Sequence, residues 1–200
     1  MSREVVFDIE TQNTFEEVGA GNHRGLKVSV VVVYCYEDDS FHTFREENLK
    51  DLWPILERAE RLIGYNSKFF DVPVLQNYYT GDLSKIPHLD LLEEIRRSAG
   101  FRPKLDDIAK ATLGTQKSGH GLQAVEWFKA GEWDKIEKYC EDDVRITRDV
   151  YEYGKTHKQI FYPEVAGGMK PIPVKFGVER VVADAEGAPA GTGMNLTLPF

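Results

Sequence analysis

The sequence predicts an α/β fold, in which helices cover a central sheet. Three segments rich in β-branched and aromatic residues come first, at 4–11, 27–36 and 40–46, and polar, glycine-bearing stretches separate them. A helical segment and a fourth strand-like segment follow, and from there to residue 161 the pattern is mainly helical. This order of strands and helices is typical of a sheet with helical cover.

The first strand, EVVFDIET at residues 4–11, carries two carboxylates on one face. Asp8 and Glu10 are two residues apart, so both side chains project from the same side of a strand. The residues on the other side are apolar: Val5, Phe7 and Ile9. Neighbouring carboxylates repel each other unless a cation neutralises them or water surrounds them. Taken alone, the pair indicates only the polar end of a strand.

The next segments are predicted to form the structural scaffold of the domain. KVSVVVVYCY and SFHTFRE are the second and third strands, and ENLKDLWPILERAE at 47–60 is a helix by the spacing of its apolar residues. Pro54 sets the first turn of that helix near Asp51, because proline is tolerated in a first turn. RLIGYN at 61–66 is a short buried strand.

A third carboxylate, Asp71, lies in GYNSKFFDVPVL at residues 64–75. With Pro73 in the first turn, Asp71 fits the N-cap of a helix, and Asn66 fits a turn after the strand. Considered alone, this segment is therefore structural.

Five helical segments follow: 70–79, 88–100, 104–114, 122–131 and 133–160. Beyond them, DAEGAPAGTGMN is rich in glycine and alanine and indicates a linker. We expect one domain at 1–162, a small appended hairpin at 163–176, and a flexible C-terminal tail at 177–200.

The last helix contains a run of three carboxylates, within YCEDDVRITRDVY at residues 139–151. Tyr139 and Asp143 are four residues apart and stack on one helix face. Two isoleucines lie on or near the same stripe: Ile136 and Ile146. The stripe therefore faces the interior, whereas Glu141 and Asp142 turn toward solvent. An unpaired buried carboxylate is costly, so we expect a cation beside Asp143.

Asp8, Glu10, Asp71 and Asp143 together are a ligand set for two divalent ions, Mg²⁺ or Mn²⁺. Hard cations take oxygen ligands, and such sites combine a few carboxylates with waters and substrate phosphate. Two ions roughly 4 Å apart activate a water and stabilise the departing oxygen in phosphodiester cleavage. Tyr139 would orient the attacking water, since a tyrosine pKa of about 10 makes it a poor base near neutrality.

These three segments resemble the motifs of the DEDD exonucleases of the ribonuclease H-like superfamily. FDIET looks like the first motif, NSKFFD like the second motif of family-B DNA polymerase proofreading domains, and YCEDD like the third motif of the tyrosine subclass, DEDDy. The histidine subclass would need histidine at position 138, which is Lys138. The connecting helices are similar to those of stand-alone bacterial predicted 3′–5′ exonucleases, and the resemblance covers about residues 3–160.

The resemblance implies a ribonuclease H-like fold, with a mixed five-stranded sheet and helices on both sides. It implies five catalytic residues, all but the tyrosine being metal ligands: Asp8, Glu10, Asp71, Tyr139 and Asp143. It also implies that single-stranded DNA or RNA, with DNA favoured, is degraded from its 3′ end to nucleoside monophosphates.

Substrate contacts are predicted from the same motifs and from one loop. Thr11 lies just beyond Glu10, and Asn66 and Phe70 are the other fixed positions of the second motif. The loop TQKSGHG adds the candidates Lys117 and His120. Basic and aromatic residues at 96–104, including Phe101, are suited to phosphates and bases, although helix-end cations and a solvated loop are the simpler explanation of these residues.

Charge and cysteine content narrow the possible functions and cellular locations of the protein. The net charge of −8 argues against broad wrapping of nucleic acid but leaves a nuclease open. The first ten residues carry charges where a signal peptide needs an apolar stretch, and no apolar run is long enough to cross a bilayer. Cys35 and Cys140 form no CxxC pair and fit reduced core residues, so we expect a cytoplasmic protein without membrane association.

Two other functions stay open on sequence alone. The same fold with its acids retained would also serve as a non-catalytic platform for nucleic acid or a protein partner, or as a structure-selective endonuclease. DNA and RNA are not distinguished, because a 2′-hydroxyl is sensed by contacts that none of these motifs specifies.

Overall fold

The computed structural model describes residues 2–115, 121–164 and 167–177. Its strands are β1 (Glu4–Thr11), β2 (Val28–Cys35), β3 (Ser40–Arg45), β4 (Arg61–Gly64), β5 (His88–Asp90), β6 (Gln159–Pro163) and β7 (Met169–Pro173). Its helices are α1 (Phe15–Val18), α2 (Trp53–Arg58), α3 (Asp71–Leu75), α4 (Leu91–Ala99), α5 (Leu105–Leu113), α6 (Gly121–Ala130) and α7 (Trp133–His157). Three short 3₁₀ segments lie at His23–Gly25, Glu46–Asp51 and Leu83–Lys85. Among these helices, none combines the length and the apolar character that a membrane span requires.

Five strands form one mixed sheet in the order β3-β2-β1-β4-β5. Strand β1 pairs antiparallel with β2 and parallel with β4, and β5 is parallel to β4. The predicted α/β fold class with a mixed five-stranded sheet is confirmed. The helical pattern of HLDLLEEIRR predicts a helix from residue 88, and this is wrong for the first three residues. They pair with Leu62–Gly64 as β5, because the sheet edge offers backbone partners that a local pattern does not reveal.

Helices cover both faces of the sheet because both faces carry buried apolar residues. Strand β2 is buried along its full length, as expected for a strand covered on both faces. On one face, Val6 and Ile63 join a core that includes residues of α4, α5, α6 and α7. On the other face, Phe7 and Ile9 join a second core with α2 and α3. The alternation of β1 therefore directs Asp8 and Glu10 toward α7.

The C-terminal hairpin packs into the core of the sheet. Helix α7 ends at His157 rather than at the predicted residue 160, because Lys158 adopts a left-handed conformation (φ 59°) and β6 begins at the next residue. Strands β6 and β7 pair antiparallel, and Val174 and Phe176 are buried in the same core as α7. A Cβ on Gly154 of α7 would lie 2.4 Å from the Phe176 ring, so this contact requires glycine. Strand β6 spans the domain boundary predicted at residue 162, and the division into domain, hairpin and tail stays a prediction.

Candidate active site

Three carboxylates from two elements meet at one point beside the sheet. Asp8 and Glu10 project from β1 and Asp143 projects from α7. One carboxylate oxygen of each residue lies within 4.8 Å of those of the other two. Glu10 and Asp143 are buried and Asp8 is half-buried. Acids that are far apart in the chain are thereby brought within reach of one cation.

Helix α7 turns one face of its acidic run toward the sheet. Tyr139 and Asp143 are 4% and 5% exposed, so the inward orientation predicted from their spacing is confirmed. Cys140 Sγ lies 3.4 Å from the Asp8 carbonyl oxygen, because α7 rests directly on β1. Glu141 and Asp142 lie off this face, where each forms an ion pair one helical turn away. The carboxylate triplet therefore divides into one buried acid and two acids on the outer face.

Asp71 begins α3 and faces the same cleft. Its carboxylate accepts a hydrogen bond from the Ile9 N–H at 3.2 Å, and the residue is 3% exposed. The N-cap position of α3 is Phe70, so the N-cap interpretation of Asp71 does not hold. Burial raises the pKa of Asp71 to about 8, and the negative charges of Asp90 and Asp143 act in the same direction. A nearby cation would favour the charged form of this carboxyl.

The loop before α3 is held by a buried carboxylate that the sequence motifs do not include. Asn66 adopts a left-handed conformation (φ 64°), which asparagine tolerates better than most residues. Asp90 accepts hydrogen bonds from the N–H groups of Asn66 at 2.9 Å and Lys68 at 3.0 Å. It also caps α4 by accepting from the Glu93 N–H at 3.2 Å. The loop that carries Asp71 into the cleft is therefore fixed to the start of α4.

A cleft of about 550 Å³ opens over the acids. All five predicted catalytic residues line it: Asp8, Glu10, Asp71, Tyr139 and Asp143. So do three of the predicted substrate contacts: Thr11, Asn66 and Phe70. Further lining comes from Phe15 of α1 and Val125 of α6, and an ion pair between Glu17 and Lys129 (2.5 Å) joins these two helices. No lysine or arginine is among the described residues that line the cleft.

The remaining predicted contacts lie elsewhere. Lys117 and His120 fall outside the described residues. Phe101 packs its ring against Tyr162 with centroids 4.9 Å apart, so its ring is engaged with β6. Arg102 reaches the edge of the cleft, where it donates a hydrogen bond to Asn66 Oδ1 at 2.5 Å.

A second group of metal-ligand types lies at the turn between β2 and β3, formed by Cys35, Asp38 and His42. Asp38 Oδ2 and Ser40 Oγ each lie 2.9 Å from His42 Nε2, and these hydrogen bonds account for the arrangement. Burial raises the pKa of the Cys35 thiol to about 11.

The acid trio fits a divalent cation with oxygen ligands. Its donors are all carboxylates, which Mg²⁺ and Mn²⁺ prefer over nitrogen or sulfur. The thiol of Cys140 adjoins the trio, but burial and the charges of Asp8 and Glu10 raise its pKa well above the usual value. This thiol is therefore protonated near neutral pH and adds no thiolate to the ligand set.

Comparisons with known proteins agree with this fold. The chain is similar to the structure of the family B DNA polymerase from the hyperthermophilic archaeon Pyrobaculum calidifontis, with 18% identity and a TM-score of 0.59. The match covers 76% of this chain but only 24% of the polymerase chain. The comparison with curated proteins gave no match. The model of the RNase_H_2 family, in the RNase H superfamily, matches residues 5–154, which span the whole acid site, and the chain belongs to this family.

Proposed function

We propose that this protein is a metal-dependent 3′–5′ exonuclease of the tyrosine subclass, which degrades single-stranded nucleic acid, with DNA favoured, to nucleoside monophosphates. Membership of the RNase H superfamily points to a nuclease-type hydrolase. The observation that carries the proposal is the convergence of Asp8, Glu10 and Asp143 in a cleft that also contains Asp71 and Tyr139.

The charge of the cleft supports a metal-dependent reaction. Its lining contains four carboxylates and, within the described part of the chain, no lysine or arginine. A phosphodiester is itself an anion, and two like charges 4 Å apart repel by about 1 kcal/mol in water and by about 4 kcal/mol near a protein surface. Divalent cations held by these acids would offset this repulsion and allow the phosphate to enter the cleft.

The proposed roles follow from the position of each side chain. Asp8, Glu10, Asp71 and Asp143 would hold two divalent ions, Mg²⁺ or Mn²⁺. Such ions, when bound, lower the pKa of a water and neutralise the charge that develops on the phosphate and the departing oxygen. Tyr139 orients the attacking water through its hydroxyl, and its ring is supported by Trp127 of α6 with centroids 5.9 Å apart. Phe70 and Phe15 give the terminal base an apolar wall.

Matched single-stranded DNA and RNA substrates test the proposal. We expect Mn²⁺-dependent release of mononucleotides from free 3′ ends, faster for DNA than for RNA, and no products from blocked ends or circular strands. Asp8→Ala and Asp143→Ala should each lower release by roughly 10³-fold or more while the circular dichroism spectrum is retained. Asp142→Ala is the matched control, because it removes an adjacent carboxylate from the outer face of α7. It should retain activity.

The same assay separates the alternatives. Full residual activity of Asp8→Ala or Asp143→Ala would reject the assignment of these ligands. A shifted electrophoretic band without products would favour a non-catalytic binding platform. Cleavage of circular strands would favour a structure-selective endonuclease, since an exonuclease needs an end.

A further inference from the structure

An exposed aromatic ring lies beside the acidic cleft. Four large apolar side chains are exposed among the described residues: Phe69, Phe101, Leu122 and Met169. Leu122 lines the cleft, and Phe69 lines an adjacent depression of about 250 Å³ that shares Asn66 with the cleft. Single exposed apolar residues are common on proteins, so the surroundings of Phe69 must show whether its exposure serves a function.

Phe69 sits on a rigid support. Its side chain is 59% exposed, although the next residue, Phe70, lines the cleft. The ring meets the His23 ring edge-on with centroids 5.5 Å apart, and the Arg102 guanidinium lies 5.9 Å from its centroid. Arg102 is itself fixed by its hydrogen bond to Asn66, whose N–H is held by Asp90. We call Phe69, Asn66 and Arg102 the Phe69 platform; it is organised before any ligand arrives, which lowers the entropic cost of binding.

The charge of this depression differs from that of the cleft. Its lining includes three cations and two acids: Lys68, Arg96, Arg102, Asp90 and Glu93. The Asp90 carboxylate is buried and accepts three backbone N–H groups. Glu93 is engaged by Lys68 at 2.8 Å and by Arg97 at 3.1 Å. Since Lys68 pairs with Glu93, two arginines, Arg96 and Arg102, stand against the single charge of Asp90 and give the depression its net positive character.

We propose that the Phe69 platform binds the nucleotide immediately upstream of the one in the acidic cleft, with its base on the Phe69 ring and its phosphate near Arg102 and Arg96. This rests on the proposed function, since the cleft must hold the terminal nucleotide. Binding of single strands without sequence preference combines aromatic stacking with cations that follow the backbone. The ligand class is therefore single-stranded nucleic acid of any sequence. A duplex keeps its bases stacked on one another and leaves this ring unused.

Equilibrium binding of the full chain to short labelled oligonucleotides tests the platform. Fluorescence anisotropy is measured in Ca²⁺ with single strands of two to eight nucleotides and with a blunt duplex. Phe69→Ala should weaken single-strand binding about tenfold, because stacking on one aromatic ring contributes about 1–3 kcal/mol. Phe69→Trp keeps an aromatic face and should restore affinity. Arg102→Gln should reduce the slope of log Kd against log salt concentration by about 0.7, the change expected for one phosphate contact to a single strand.

Two control variants match these changes. Met169→Ala removes a side chain that is 60% exposed on the hairpin, and Lys135→Gln removes a cation on the surface of α7 that pairs with Glu132. Both should bind like the wild type, and duplex affinity should not depend on Phe69.

The outcomes separate the platform from the proposed function. Equal single-strand affinity of the wild type and Phe69→Ala, or an equal loss in Phe69→Trp, overturns the platform. A wild type that binds through Phe69 but releases no mononucleotides with Mn²⁺ overturns the exonuclease proposal and supports the platform as a binding surface.

Discussion

Tyr139 is nearly fully buried between the acids of the cleft and helix α6. Its ring is supported by Trp127, and it shares the inward stripe of α7 with Asp143. A neutral phenol hydroxyl is a weak base, but it can hold a water in one orientation through a hydrogen bond. An orienting group of this kind affects the rate of the chemical step more than the affinity for substrate.

Tyr139→Phe should therefore lower kcat by roughly 10²-fold with little change in KM, because the ring is kept and only the hydroxyl is lost. Steady-state kinetics on a single-stranded oligonucleotide with Mn²⁺ measures both constants. Tyr65→Phe is a matched control: Tyr65 also lines the cleft, but its hydroxyl donates to the Pro103 carbonyl oxygen at 2.8 Å. An equal drop in both variants would show that the loss comes from disturbed packing of the cleft.

Some site residues are predictable from local spacing and others are not. Strand alternation predicts the shared face of Asp8 and Glu10, and the four-residue helix spacing predicts that Asp143 is buried. The direction of the Asp71 side chain depends on its bond to the Ile9 N–H, 62 residues away in the chain. Local patterns carry no information about such a contact, so its N-cap alternative could not be rejected from sequence. The exposure of Phe69 could not be predicted from sequence for a similar reason, because the loop that Asp90 holds determines it.

At the scale of elements, the loop between β4 and α3 depends on the start of α4. Asp90 serves both elements, because one carboxylate accepts N–H groups from the loop and from the first turn of the helix. The sequence context HLDLL fits a helix start at Asp90, and Asp90 is the N-cap residue of α4. The sequence gives no signal that Asp90 also holds the loop before α3, a role that arises because β5 lies beside β4.

Asp90→Asn should lower the free energy of unfolding by about 1–3 kcal/mol, since one amide oxygen replaces two charged acceptors in a buried position. It should also lower kcat/KM, because the loop that delivers Asp71 is loosened. Chemical denaturation and exonuclease assays measure the two effects. Asp82→Asn is the control, because Asp82 caps only the short 3₁₀ segment Leu83–Lys85 and is partly exposed.

Asp82→Asn should lower the free energy of unfolding by less than about 1 kcal/mol and leave activity unchanged. If Asp90→Asn lost stability without any loss of activity, the loop would not depend on this carboxylate for its position in the cleft.

At the scale of the whole molecule, the hairpin of β6 and β7 and residues 174–177 close the end of the sheet opposite the acids. Arg61 donates to Glu4 Oε1 at 2.9 Å and to the Phe176 carbonyl oxygen at 3.1 Å, and Tyr151 donates to Glu4 at 3.0 Å. Glu4 stands at the first residue of β1, whereas Asp8 and Glu10 stand toward its other end. Ile172, Val174 and Phe176 are buried in the same core as Val6 of β1 and helix α7.

Two truncations test the predicted domain boundaries. A chain that ends after Gly177 should fold and keep its activity. A chain that ends after Tyr162 should lose at least about 5 kcal/mol of stability, because it lacks Ile172, Val174 and Phe176, and burying each such side chain contributes about 1.5–3 kcal/mol. Thermal unfolding followed by circular dichroism compares them. Equal stability of the two chains would support a domain that ends at residue 162.

The overall topology is only partly visible in local patterns. Four of the five strands and the helical cover are indicated by periodicity, but the strand order and the fifth strand follow from pairing between distant segments. Pairing is decided by which apolar faces bury each other, and periodicity alone does not specify it.

The alternation of side chains along β1 determines which changes of sequence the fold tolerates in this strand. Every second residue of β1 faces the side of the sheet that carries the acids, and the residues between them enter the opposite core. Deleting Val6 would keep the orientation of the residues on one side of the deletion and invert it on the other, which moves either Asp8 and Glu10 or Glu4 into the apolar core against α2 and α3. A substitution in this strand changes one side chain, whereas an insertion or deletion changes the face of every residue on one side of it, so we expect the fold to tolerate changes of length only in the turns at its ends.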